Sequence, residues 1–336
     1  MNSFLRRVAL ALCSGYLIVY YGEFVFWATP DRDGMNLGGM VAVWLGYSLM
    51  AYPFLCVVSH FRVRGPWAVF LAGAFYGWFE EGVVVQTTYG SADTPFPMSI
   101  SFTALAWHAP IDIWIGWYLV RLVLAQNQPR KTTALAAGIG LFYGLWAIFW
   151  WNEAPPQMKV LLETGRKDLV LGHFALFSFG TTAVLILAHG LFNRLSPAGF
   201  RPSRTELWII GLIVLLYFAF VTVPAAPKSL WVLPPLLGLT FWGLRSNQRV
   251  EQRPDAIMAF PEPVKLRNYL TLFAIPLVAC AVYLIALVSD LRWSTNMVVY
   301  RVATPLGALA WVLSVAMCVR QRADRTAAAG LSEVKG

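Results

Sequence analysis

Residues 206–225 read ELWIIGLIVLLYFAFVTVPA, with one charged residue, Glu206, at the first position. A helix that spans a membrane needs about 20 mostly apolar residues, so this stretch is long enough to cross a bilayer. The rest of the 336-residue chain has the same character, since 58% of its residues are hydrophobic and only 13% are charged. Soluble domains have about 25% charged residues. The composition therefore excludes a soluble globular enzyme and indicates an integral membrane protein.

Nine further apolar stretches accompany this one, and together they predict an all-α bundle of about ten transmembrane helices. The segments are 4–28, 35–59, 66–90, 98–125, 132–152, 169–193, 206–225, 228–245, 266–289 and 297–319. We expect three regions along the chain: a six-helix lobe at 1–193, a four-helix supporting lobe at 206–319 with a linker at 245–267, and a flexible tail at 320–336.

Basic residues concentrate in every second connection between these segments. They are Arg6 and Arg7, Arg62 and Arg64, Arg130 and Lys131, Arg194, Arg201 and Arg204, then Arg245, Arg249, Arg253, Lys265 and Arg267, and finally Arg320, Arg322 and Arg325. Cytoplasmic loops carry the excess of Lys and Arg, so we expect both termini in the cytoplasm. The formal charge of +9 is spread between apolar runs, so it predicts the lipid bilayer as partner and no nucleic acid. We expect the membrane to be a bacterial inner membrane. No oligomeric state is indicated.

Polar residues inside the predicted spans are costly and are functional candidates by default. Segments three to six carry a cluster of them, whereas segments seven to ten have almost none. The candidates are Glu80, Glu81, His108, Asp112 and His173, with Glu23 and Glu153 at a similar depth. At 1.5 Å per residue the Glu80–Glu81 pair lies about 14 Å below the outer end of its helix. Because His108 has the same depth on the next, antiparallel helix, we expect contact between them.

The chemistry of this cluster admits three interpretations. Adjacent carboxylates in a low-dielectric site cannot both ionise cheaply, so the Glu80–Glu81 pair should keep a proton and suits general acid–base catalysis beside a His. The same residue types suit a divalent metal such as Zn, with His108, His173 and Glu81 as candidate ligands. A polar network that only fixes helix packing is the third. His60 and His189, near the cytoplasmic boundary, are interpreted as interfacial side chains.

Glu80 and Glu81, followed by His residues on later helices, resemble the intramembrane proteases of the CAAX-processing and bacteriocin-processing type. That family carries EExxxR, then FxxxH, then HxxxN. Here Val85 stands at the Arg position and Ala104 at the Phe position, while His108 and Asp112 could represent the third motif, with Asp replacing Asn. His173 would be an additional His. The resemblance implies a bundle of membrane helices in which Glu and His activate water for peptide hydrolysis.

A second likeness involves Glu80, Glu81, Gln86 and Thr87, which resemble the acid motif of the small membrane lycopene cyclases. That likeness implies protonation of a polyene by carboxylates. Two non-enzymatic alternatives also remain: a proton-coupled transporter, since intramembrane carboxylates and His form proton relays, and an accessory membrane subunit. For the enzyme, we expect a cavity lined by the cluster, with aromatic walls from Tyr76, Trp107 and Trp150, for a lipid-like or membrane-peptide substrate.

Two further features bear on the organisation of the bundle. The motif GAFYG at 73–77 recurs as GLFYG at 140–144, and a duplicated two-helix hairpin would explain the recurrence. Arg301, at the start of segment ten, is expected to reach the lipid headgroups rather than to pair with the acidic cluster.

Overall fold

The computed structural model describes residues 3–27, 36–90, 94–148, 156–248, 255–258, 263–293 and 295–333. This described part is helical and contains no strand, as expected of an all-α protein. The helices are α1 (Ser3–Gly22), α2 (Leu37–His60), α3 (Pro66–Trp78, continued by a π-helical turn, Phe79–Val84), α4 (Ser99–Phe102, the π-helical stretch Ala104–Leu119 and Val120–Ala125), α5 (Pro129–Ala147), α6 (Pro156–Glu163), α7 (Lys167–Leu195), α8 (Arg204–Tyr217, continued by Phe218–Thr222 and Val223–Ala225), α9 (Ser229–Gln248), α10 (Leu266–Leu270, Thr271–Phe273 and Ala274–Val288) and α11 (Thr295–Glu333).

Within the described residues, six stretches of helix are long and apolar enough to cross a membrane. They are Ser3–Phe26, Leu37–His60, Lys167–Ala198, Arg204–Ala225, Leu266–Val288 and Asn296–Ala323. Each of the ten predicted segments coincides with a helix. The other four are less apolar. Helix α3 contains Glu80 and Glu81, and α4 contains His108, Asp112 and Arg121. Helix α5 opens with Arg130 and Lys131, and α9 ends with Arg245 and three polar residues. Ten crossings and the orientation of the termini stay predictions.

Helix α1 is the most enclosed of the six and packs against α2, α4 and α7. The Tyr16 hydroxyl donates a hydrogen bond to the carbonyl oxygen of Thr181 at 2.9 Å, and the Tyr20 hydroxyl lies 2.7 Å from Oγ1 of Thr182. Polar side chains buried in a membrane protein need such internal partners. The N-terminal helix is thus held in the centre of the bundle by a helix that follows much later in the chain.

Helices α3 and α4 approach each other closely along two glycines of the GAFYG motif. A Cβ atom at Gly73 would lie 2.8 Å from Cα of Ala109, and one at Gly77 would lie 2.5 Å from the carbonyl oxygen of Ala104. Small residues spaced by four let the backbones of membrane helices meet in this way. The close approach brings the end of α3, with its two glutamates, against the first half of α4.

The second copy of the motif also packs closely, but against a different kind of neighbour. Gly140 and Gly144 of α5 face α10, where a Cβ atom at Gly144 would lie 2.8 Å from the carbonyl oxygen of Ala279. In the first copy the closely packed neighbour is the next predicted segment, α4. In the second copy it is α10, whereas the next predicted segment is α7. Close helix packing therefore explains the shared glycines, and the two-helix hairpin is not reproduced.

The predicted supporting lobe does not stand apart from the first. Helix α11 packs against α3 and α4, and α10 packs against α5 and α7. Part of the predicted linker also docks on the bundle, because the backbone N–H of Ala256 donates to the carbonyl of Val63 at 2.8 Å. The tail expected to be flexible continues α11 as helix to Glu333, since its alanine-rich sequence favours helix.

Candidate functional site

His108 stands between carboxylates inside the bundle. Its Nε2 lies 2.9 Å from Oε1 of Glu81, and its Nδ1 lies 2.7 Å from Oδ2 of Asp112. A third carboxylate, Glu80, places Oε2 3.5 Å from the same Nδ1. All four side chains are buried. The contact predicted between the glutamate pair of α3 and His108 is therefore present.

The four polar residues sit in the two π-helical stretches that face each other. Glu80 and Glu81 belong to the turn that ends α3, and His108 and Asp112 belong to the long stretch of α4. Pro110 lies within the second stretch and has no N–H for the regular helical ladder. π-Helical turns are rare and frequently occur at functional sites. The unusual backbone and the polar residues thus coincide.

Neighbouring groups fix the carboxylates on either side of the imidazole. The hydroxyl of Thr87 donates to Oε2 of Glu81, while Oε1 of the same carboxylate faces His108. On the other side, a Cβ atom at Gly22 would lie 2.6 Å from Oδ2 of Asp112. Only a glycine at this point of α1 leaves room for the Asp112 carboxylate, so α1 shapes the site as well as supporting it.

The cluster contains more acid than base. One imidazole can balance one carboxylate, and like charges repel strongly in a low-dielectric interior, so the cluster is stable when its members share protons. In the chain Glu81–His108–Asp112 a proton can reside on Glu81 Oε1 or on His108 Nε2. This is the arrangement of a general acid–base pair whose imidazole is oriented by a second carboxylate.

A cavity of about 910 Å³ adjoins Glu81 and His108. Its other acidic lining residue is Glu23, which accepts a hydrogen bond from the hydroxyl of Tyr47 at 2.9 Å. Its aromatic walls come from Phe26, Phe102, Trp107, Trp146 and Tyr300. The volume lies within the range of about 300–1,000 Å³ typical of ligand pockets. A polar pair at the wall of a cavity with both aromatic and polar lining residues can act on an amphipathic molecule.

The structure brings together some of the predicted site residues and separates others. Glu81 and His108 line the cavity, whereas Glu80 and Asp112 lie behind them and do not. Tyr76, expected as a wall, lies behind His108 with ring centroids 6.0 Å apart. Glu153 and Trp150 fall outside the described residues.

His173 does not join the cluster, and its predicted place in the site is wrong. Its side chain is exposed on α7, and among the described residues no hydrogen bond or ion pair links it to Glu81 or His108. Hydropathy gave no means of choosing the face of α7 that turns inward, because both faces are apolar.

The residues of the site do not fit the predicted metal. A His ligand binds the metal through one ring nitrogen at about 2.0–2.1 Å, but both ring nitrogens of His108 face carboxylates at hydrogen-bond distance. The third proposed ligand, His173, lies elsewhere, and the described part of the chain holds no group of three or more His, Cys, Asp or Glu that could bind a metal ion. The donor set is that of a proton-sharing network.

Sequence reasoning missed the contribution of α11 to the cavity. Asn296, Met297, Tyr300, Arg301 and Thr304 all line it. Arg301 is the one that the sequence singled out, and it faces the cavity although its side chain remains exposed. The last predicted segment therefore forms a wall of the site and does more than support it.

A second buried polar region, also missed, lies at the other end of α4. Arg121 is fully buried, and its guanidinium donates to the carbonyls of Ala256 at 3.2 Å and Ile257 at 3.0 Å. The guanidinium carbon lies 4.8 Å from the ring centroid of Trp117 and 4.1 Å from that of Phe192. An Arg inside a predicted span was the available signal, since such residues are rare and almost always have partners.

The interpretation of His189 as an interfacial side chain is wrong, whereas His60 is exposed at the end of α2 as expected. His189 is fully buried on α7, and in the described structure neither ring nitrogen has a hydrogen-bond partner. The cause is the packing of α7 against α1, which turns this side of the helix inward.

Comparisons with protein-family models, with curated proteins and with solved structures find no match for the chain. The resemblance to intramembrane proteases therefore stays a prediction from Glu80 and Glu81. The functional argument rests on the geometry of the Glu81–His108 pair and its cavity.

Proposed function

We propose that the chain is a multi-pass enzyme of a bacterial inner membrane, with about ten spanning helices and both termini in the cytoplasm, and that Glu81 and His108 act as its general acid–base pair. The observation that carries the proposal is the 2.9 Å contact between His108 Nε2 and Glu81 Oε1 at the wall of the 910 Å³ cavity. A paired carboxylate and imidazole contribute typically about 10²–10⁴ in rate.

The reaction proposed is hydrolysis of an acyl bond. Glu81 removes a proton from water as the water oxygen attacks the acyl carbon, and His108 shares that proton through Nε2. As the bond to the leaving oxygen or nitrogen breaks, the pair returns the proton to the leaving atom. Asp112 holds Nδ1 of the imidazole throughout, so the pair ends each cycle in its starting state.

The substrate class follows from the walls of the cavity. Five aromatic side chains and two methionines form its apolar part. Its ionisable lining residues are Glu23, Glu81 and His108, with Arg301 on α11. Such a cavity accommodates an apolar chain beside one reacting polar group. A lipid-like ester or a membrane peptide has this character.

The transporter alternative requires a polar path that continues through the membrane. Beyond Asp112, α4 presents Ile113 and Trp117, both fully buried, and then Arg121, which is bonded to backbone carbonyls. Along α4, buried apolar side chains therefore separate the acidic cluster from Arg121, which supports an enzyme rather than a proton relay.

The test detects hydrolysis whichever lipid or membrane peptide is the substrate. A membrane extract is incubated with the purified protein in water labelled with a heavy oxygen isotope, and new labelled carboxylates are sought by mass spectrometry. We expect labelled products with the wild-type protein, and about 10²–10⁴-fold less with Glu81→Gln. The matched control is Glu163→Gln, the same change at an exposed position of α6.

Other outcomes would contradict the proposed role of Glu81 or the hydrolysis itself. Equal labelling by the wild-type protein and by Glu81→Gln would show that Glu81 takes no part in the reaction. A Glu81-dependent product without the label would point to acid catalysis of the cyclase kind. Proton flux into vesicles that depends on Glu81, without any new product, would favour the transporter.

A further inference from the structure

A groove of about 750 Å³ lies between α2, α8 and α9, and it shares no lining residue with the cavity beside His108. Its walls are mainly apolar, formed by Cys56, Val57, Phe61, Leu207, Phe241 and Trp242. The last residues of α2 and α9 close one end of the groove. The apolar wall and the helix ends give it two chemically different parts.

The groove has open space because α8 packs loosely. The helix Arg204–Tyr217 has no buried side chain. On the facing helix, a Cβ atom at Gly238 would meet no other atom within 4 Å. Within the bundle, by contrast, a Cβ at Gly243 would lie 2.6 Å from the Leu71 side chain. The space beside Gly238 can therefore receive a flexible chain without rearrangement of the protein.

The closed end of the groove is basic. His60 and Arg245 line it, both exposed, and the Gln248 side chain joins the two helix ends by donating to the carbonyl of His60 at 2.6 Å. Within the described structure no ion pair involves Arg245, and the carboxylate on this side of α8, Glu206, is paired with Arg7. Among the described residues, therefore, no neighbouring acid neutralises the charge of Arg245.

We propose that this groove binds one anionic phospholipid, with an acyl chain along the apolar wall and the phosphate at Arg245 and His60. Basic pockets between membrane helices on the cytoplasmic side bind anionic lipid headgroups, and Arg245 belongs to a connection that the charge pattern assigns to the cytoplasm. The volume is that of a small-molecule site, about 300–1,000 Å³. The proposal is independent of the catalytic one, because no residue is common to both sites.

The first experiment tests the headgroup. Dioleoyl phosphatidylglycerol and dioleoyl phosphatidylcholine are titrated separately into the full-length protein in mild detergent, and bound lipids are counted by native mass spectrometry. We expect one site with about fivefold preference for phosphatidylglycerol, and Arg245→Gln should remove that preference. Arg130→Gln, an exposed Arg on α5, should keep it. Equal affinity for the two lipids, or equal effects of the two substitutions, would overturn the proposal.

The second experiment tests the groove. Gly238→Phe fills the open space and should weaken phosphatidylglycerol binding about tenfold, since losing contact with two methylene groups has an effect of that size. Gly180→Phe is the matched control, because a Cβ there also meets nothing within 4 Å and α7 contributes no residue to the lining of the groove. Both variants should elute as the wild type does on size exclusion. Unchanged binding by Gly238→Phe would place the lipid elsewhere and refute the site.

Discussion

The two ends of α4 carry buried ionisable residues of opposite kinds. Near its start, His108 lies among carboxylates at the wall of a cavity. At its other end, Arg121 lies between Trp117 and Phe192 and donates to the backbone carbonyls of residues 256 and 257. The first region places reactive groups beside open space, whereas the second uses its charge to hold a segment of chain.

This difference separates two uses of a buried charge. An ionisable residue in a membrane helix is a functional candidate by default, and by that criterion the two regions are equal. Their surroundings distinguish them, since only the cavity lets another molecule reach the polar groups. We therefore expect substitutions in the first region to reduce activity with the fold retained, and substitutions in the second to reduce stability with activity retained.

His108→Gln gives the largest expected effect. The amide keeps a polar group of similar size but cannot carry the proton, so the rate of labelled-product formation should fall about 10²–10⁴-fold. Thermal unfolding in detergent should change little. A variant that keeps its activity, or one that loses activity only because it unfolds, would place His108 with Arg121 as a structural residue.

Arg121→Gln is the counterpart at the other end of α4. The variant loses two charged hydrogen bonds, to Ala256 and Ile257. Each loss should lower the free energy of unfolding by no more than about 1.5–3 kcal/mol, which is measured as a lower unfolding temperature. Hydrogen exchange at residues 255–258 should become faster because the guanidinium no longer holds their carbonyls. Activity should stay within about twofold. Activity that falls as far as in His108→Gln would mean that the two regions are coupled.

Gly77→Ala tests how the catalytic pair is assembled. The added methyl group would meet the carbonyl oxygen of Ala104 at 2.5 Å, and overpacking of this kind costs about 1–3 kcal/mol. Separation of α3 from α4 should also weaken the Glu81–His108 contact, so activity and stability should fall together. Gly180→Ala, where a Cβ meets nothing within 4 Å, serves as the control and should leave both unchanged.

Asp255→Asn gives the smallest effect and concerns pH. Burial raises the pKa of Asp255 above its ordinary value of 3.8, so the folded chain holds this proton more tightly than the unfolded chain. The ionised carboxylate therefore costs stability, and this cost appears as the pH rises from about 3.8 through the folded-state pKa. The Asn variant should lose less stability than the wild type over that window. An equal decline in both would show that Asp255 is not buried as described.

The sequence was sufficient for the helices and for the central contact of the site. Each segment predicted from length and apolarity contains a helix, because a membrane span needs about 20 apolar residues. The short helix α6 was not predicted. The pairing of Glu81 with His108 followed from equal depth on two antiparallel helices joined by a short connection. Both inferences depend only on positions along the chain, which the sequence contains.

The sequence was insufficient where the rotation of a helix matters. A membrane helix is apolar on its lipid side and on its protein side, so no periodic pattern marks the inward face. This is why His173 was placed in the site and His189 at the interface. The docking of residues 255–258 was missed for another reason, since they lie in the stretch 245–267, whose proline and charged residues are typical of a linker.

The enclosure of α1 has a consequence for how the protein is made. Among the six candidate spans, α1 precedes the other five in the sequence and has the largest share of its residues buried. The hydroxyl groups of Tyr16 and Tyr20 find their partners, Thr181 and Thr182, only after a further 165 and 162 residues have been translated. Until then α1 must be shielded by lipid or by the insertion machinery, and its packing is completed by a helix that is made much later.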